Sequence, residues 1–164
     1  LHTNSAAGAV PRLLDMGAQP FLLVSTLDVV IAQRLVRRLA NTKEQYFLSK
    51  KEVDSLKKTV DIDRVLVDLK KEKIIGEDVS SWEKIPFYKP KKTGSEDGYA
   101  GRIVICEVLK VSESVKELIM KDATAGNIEK QAQEEGMLTM IEDGIFKAVQ
   151  GLTTIEEVLR VVSE

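Results

Sequence analysis

The amino-acid sequence predicts a mostly helical α+β chain, and three observations carry that reading. Segments with apolar residues at helical spacing each begin on Ser, Thr, Asn or Asp, and several end on Gly. Two short runs, "IPFYK" and "RIVICEVLKV", are β-branched or aromatic and read as strands. A chain of 164 residues, 43% apolar and 30% charged, can bury one fair-sized core or two small ones, so disorder is not the default.

Taken in order, the first helix is expected from Ser5 to Met16, with Asn4 or Ser5 as its cap and Gly17 as its stop. Pro20 opens the next. From Phe21 to Leu39 apolar residues are dense, with Arg34, Arg37 and Arg38 near the end, which predicts one long, largely buried helix. Ser49 with Glu52 forms a capping box for a helix reaching Val60, and Asp63 opens another through Lys73. "IPFYK" is a short strand. "RIVICEVLKV" is nearly continuous in apolar character, a strand buried on both faces or covered by helices. Four short helices follow: Ser114 with Glu117 caps the first, Thr124 and Thr139 begin the next two, and Thr153 with Glu156 caps the last. Gly136 and Gly151 are breaks between them.

The formal charge of −2 conceals a division along the chain. Arg34 to Lys92 holds sixteen Lys and Arg against ten Asp and Glu, whereas Ile103 to Glu164 holds six against twelve. Between these stretches, "KPKKTGSEDGYAGR" gathers Pro90, Gly94, Gly98 and Gly101 among polar residues, as a junction does. The lysines of the middle stretch are interleaved with acids, so they read as a solvated helix face rather than a footprint for nucleic acid. No run approaches the length of a membrane span, and nothing resembles a signal peptide, which places the expected location in the cytoplasm. Cys106 is the single cysteine, which excludes an internal disulfide and reads as an unreactive core thiol.

The chemistry census is thin. There is no "GxxxxGK[ST]" phosphate loop, no glycine-rich dinucleotide fingerprint and no metal-ligand spacing. His2 is the only imidazole, and by residue type alone it is a structural side chain, since it lacks a partner group.

Longer stretches do carry a resemblance. "LHTNSAAGAVPRLLDMG" and "AQRLVRRL", then "GYAGRIVICEVL" and "EEGMLTMIEDGIFKAVQGLTTIEEVLRV", resemble in order the end of the motor domain and the terminal helices of the secretion traffic ATPases. Those are hexameric enzymes of type II secretion and type IV pilus assembly. The resemblance implies three parts: residues 1–39 as the trailing helices of a RecA-like P-loop ATPase domain, 40–101 as a middle subdomain, and 102–164 as a helical C-terminal subdomain. It further implies that the phosphate loop and the acidic motifs precede "LHTN", so that the chain begins mid-domain and is inactive alone, with ATP and magnesium belonging to the parent protein.

On the same resemblance, His2 becomes a catalytic-site candidate, the second histidine of the family's nucleotide-sensing histidine motif. Gln33 and Arg34 match its "AQRL" and are candidates for a subunit interface, or else a solvated helix end. Many members carry two CxxC pairs that hold zinc. Here those positions are Ala40, Lys43, Lys91 and Gly94, so a zinc-less middle subdomain is expected, built instead on Tyr46, Phe47, Val53, Leu56, Val65, Leu66, Leu69, Trp82, Phe87 and Tyr88. The implied partners are the protein's own subunits and an inner-membrane platform protein, with no nucleic acid. The chain alone is expected to self-associate through the apolar stretch Phe21 to Leu39. The competing reading is a non-enzymatic interaction module derived from such a motor.

Overall fold

Short polar side chains start most of the helices. Ser5 accepts the Gly8 N–H at 3.1 Å ahead of α1 (Ala6–Asp15), and α2 (Pro20–Thr26) begins on a proline whose missing N–H costs nothing there. Ser49 and Glu52 form the reciprocal box before α3 (Lys50–Leu56), and Asp61 caps α4 (Ile62–Lys71). Later come α5 (Glu113–Met120), α6 (Ala125–Glu134), α7 (Met140–Val149) and α8 (Ile155–Ser163). The described residues also hold a 3-10 turn, Trp82–Lys84, and four strands: β1 (Val29–Leu39), β2 (Lys43–Phe47), β3 (Pro86–Pro90) and β4 (Tyr99–Lys110). This computed structural model describes residues 2–91 and 97–163, so Gly94 and part of the predicted junction lie outside the described residues.

The expected long helix from Phe21 to Leu39 is corrected. Helix α2 stops at Thr26, where the hydroxyls of Ser25 and Thr26 both donate to the Leu22 carbonyl, at 3.0 and 2.7 Å. The β-branched Val29, Val30 and Ile31 then lead an eleven-residue strand that pairs with β4. The Ala40 N–H meets the Gly98 carbonyl at 3.0 Å, and the Val111 N–H meets the Asp28 carbonyl at 2.9 Å, which is the antiparallel sense. β2 and β3 form a second antiparallel pair, with Lys43 opposite Pro90 and Phe47 opposite Pro86. Nor is β4 buried on both faces: Ile105, Glu107 and Leu109 are buried, while Val104 and Val108 are exposed. Three cap positions also shift, from Asp63 to Asp61, from Ser114 to Ser112, and from Thr153 to Thr154.

The chain divides into two compact units, Leu1–Gln33 with Cys106–Met140, and Arg34–Ile105 with Ile141–Glu164. In the first, α1 packs on α6, and α2 and α6 pack on α5. Ala6 and Ala7 have no exposed surface, which lets the backbone of α1 approach its neighbours around Val115, Ile119 and Ile128. In the second, Trp82 stacks on Phe87 with ring centroids 6.4 Å apart and donates its indole N–H to the Ile62 carbonyl at 3.2 Å. Val53, Leu56, Val65 and Leu69 are buried as the sequence predicts, but Phe47 is 52% exposed and Tyr46, Leu66 and Tyr88 are half-buried. Phe47 points outward because β2 lies in a two-stranded ribbon, whose alternating side chains cannot all face one core.

Candidate functional site

His2, the predicted nucleotide-sensing residue, stands exposed in the non-helical lead into α1. Gln33 and Arg34 are neighbours on β1 rather than on a helix, so they point to opposite faces: Gln33 is exposed and Arg34 half-buried. The reading of Arg34 as a cap on a helix end therefore falls away with the helix.

The polar groups that the first unit gathers lie four residues beyond His2. Glu107, on the inward face of β4 and only 4% exposed, spreads its carboxylate between two helix starts. One oxygen accepts the Ala6 N–H at 2.5 Å, at the first residue of α1; the other accepts the Met140 N–H at 3.1 Å, at the first residue of α7. Each N–H is one that a helix cannot satisfy itself, and the carboxylate also faces the favourable end of both helix dipoles. The clamp thus fixes where α1 begins, and with it the residue pair that follows "LHTN". A carboxylate at the inward parity of an apolar strand, Ile105–Glu107–Leu109, was the signal for it in the sequence.

The second unit centres on another buried carboxylate. The Glu157 side chain, 3% exposed, accepts the Arg37 guanidinium at 2.7 Å, the Arg37 backbone N–H at 3.1 Å and the Arg160 guanidinium at 3.1 and 3.2 Å. Burial alone would raise its pKa, but the hydrogen bonds from Arg37 and Arg160 outweigh burial and hold the carboxyl down at about 2. The Arg37 guanidinium also lies 4.0 Å over the Tyr99 ring and reaches Asp97 at 3.3 Å. Tyr99 in turn sits 3.2 Å from the Thr154 hydroxyl. Gly98 and Gly101 take the positive φ values that the "GYAGR" turn requires, 79° and 75°, while Arg102 is exposed. A further pair joins Arg64 of α4 to the buried Glu142 of α7 at 3.0 Å.

Comparison with known proteins supplies what this geometry alone does not. The family model described as type II/IV secretion system protein matches residues 1–160. The chain belongs to that family. It is 42% identical to the type II secretion system protein E of Xanthomonas campestris pv. campestris and 38% identical to the type II secretion system ATPase E of Vibrio cholerae serotype O1, in both cases over 100% of this chain. It is also 35% identical to the type IV pilus assembly ATPase PilB of Myxococcus xanthus, over 97% of this chain. The chain spans about a quarter of the length of these curated relatives, 26%, 29% and 25% respectively.

The four positions at which the resemblance places zinc ligands do not suit a zinc ion. The chain has no phosphate-loop sequence. At the positions where the resemblance places the thiolate pairs, Ala40 has no donor atom, and Lys43 and Lys91 carry ammonium groups, which have no lone pair to give a metal. Among the described residues no helix is long and apolar enough to cross a membrane.

Proposed function

We propose that this chain serves as the C-terminal part of a hexameric motor ATPase that couples ATP hydrolysis to type IV pilus assembly or type II protein secretion. The observation that carries this reading is the family match from residue 1 to residue 160, together with relatives named as secretion and pilus-assembly ATPases. In this role ATP and magnesium are held by segments outside this stretch, and the stretch alone neither binds nor hydrolyses ATP. Residues 1–39 form the trailing edge of the RecA-like domain, 40–101 the zinc-less middle subdomain and 102–164 the helical C-terminal subdomain. His2 senses nucleotide state, and the Glu107 clamp supports this by holding the start of α1 just downstream. Gln33 and Arg34 belong to a subunit interface. The motor works in the cytoplasm, peripheral to the inner membrane, and moves a platform protein there without engaging nucleic acid.

Reading the gene upstream of Leu1 and assaying its whole product tests the proposal. A phosphate loop should precede "LHTN", the product should hydrolyse ATP, and His2→Ala should lower turnover on the order of tenfold or more. A product without that loop and without hydrolysis would leave only a non-enzymatic interaction module.

A further inference from the structure

Lys43 stands at one of the four positions where the resemblance places a zinc ligand, yet it is not idle. Its ammonium donates to the Gly151 carbonyl at 2.6 Å and stands 5.0 Å over the Tyr88 ring. Gly151 is shaped to receive it. With φ at 70° its carbonyl turns toward β2, and a Cβ there would lie 2.8 Å from Lys43 Nζ and 2.9 Å from the Tyr88 ring. Two neighbouring bonds join the same segments: the Leu39 N–H donates to the Leu152 carbonyl at 2.9 Å, and the Thr153 hydroxyl to the Arg37 carbonyl at 2.8 Å. The turn between α7 and α8 is thereby bonded to the end of β1 and the start of β2.

We propose that the ammonium of Lys43, seated on the Gly151 carbonyl and the Tyr88 ring, is a tie that holds the start of β2 to the α7–α8 turn, from a position where other members place a metal ligand. The tie rests on the reading of the middle subdomain as zinc-less. A zinc site fixes chain segments through thiolate lone pairs; a charge-assisted hydrogen bond with a cation–π contact fixes them with a proton donor instead. Unlike a thiolate site, this tie is indifferent to chelators and to thiol oxidants.

The test uses this chain, with Lys43→Met, which keeps the stem and removes the charge, and Lys43→Arg, which keeps a cation. Lys43→Met should lower the melting temperature by roughly 3–8 °C and speed exchange of the Leu39 amide on the order of tenfold, with Lys43→Arg recovering most of the loss. A melting temperature within about 1 °C of the parent, with Leu39 protection unchanged, overturns the tie. If Lys43→Met fails to fold, competitive acetylation of the unaltered chain decides. Lys43 reacting several-fold more slowly than Lys50 and Lys51 supports the tie, and equal rates overturn it. Stoichiometric zinc by elemental analysis, with melting lowered by EDTA, overturns the zinc-less reading itself, whatever Lys43→Met does.

Discussion

Two buried carboxylates, Glu107 and Glu157, each join separate segments of this chain, and they do it differently. Glu107 accepts only backbone N–H groups, from Ala6 and Met140. Replacing it with Ala leaves both donors buried without a partner, a loss of about 2–5 kcal/mol; urea unfolding of Glu107→Ala measures it, and the account predicts a lower midpoint with an unchanged slope. Glu157 is held by two arginines, and its titration has a definite sign. Its folded pKa of about 2 lies below the ordinary value of 4.5. Its contribution is therefore fully present above about pH 4.5 and is lost as pH falls toward 2, amounting to about 2–3 kcal/mol. Glu157→Gln should remove most of that acid-side dependence, as seen by following the unfolding midpoint from pH 6 to pH 2.5.

Five of the described helices share one way of stopping. After α1, α4, α5, α6 and α7 the chain turns through positive φ at Gly17, Lys73, Asp122, Gly136 and Gly151. In each case the next N–H returns to a carbonyl five residues back, as Ala18 does to Leu13 and Ile74 to Leu69. Two of these stops use a residue with a Cβ, so Lys73→Gly and Asp122→Gly should each stabilise the chain by about 0.5–1 kcal/mol, read as a raised melting temperature. The opposite outcome is expected where α7 meets α8. A Cβ on Gly144 would lie 2.3 Å from Val158 Cγ1, so Gly144→Ala should cost about 1–3 kcal/mol despite the helix propensity of alanine.

These elements also show what could be read from the sequence alone. Helices with a Ser, Thr or Asp beside an apolar stripe were visible, and so were the three glycine stops, because a cap and a left-handed turn are decided by nearby residues. The end of α4 near Lys73 was read, but not the left-handed turns at Lys73 and Asp122, where no glycine marks them. The stretch Phe21 to Leu39 misled because its apolar density suits a buried helix or a strand. The decision rests on pairing with β4, some seventy residues away in the chain. His2, Gln33 and Arg34 came from resemblance; strand parity marks Glu107 itself, but its partners Ala6 and Met140, and the Arg37 partner of Glu157, lie far away in the chain, where no local pattern names them.

At the scale of the molecule, the corrected β1 changes the surface without removing it. Val29 is 46%, Ile31 59% and Val108 47% exposed, so an apolar face remains, carried by a strand ribbon instead of a helix. We expect the chain to self-associate through it: light scattering should rise with concentration, and Ile31→Lys with Val108→Lys should return the chain to a monomer. The proposal to be tested is that this chain serves a nucleotide-driven motor whose nucleotide is held by segments outside this stretch. Calorimetric titration of this chain with magnesium ATP tests that most directly. The account predicts no saturable heat up to concentrations on the order of 1 mM, and saturable binding with a dissociation constant on the order of 1–10 μM would contradict it.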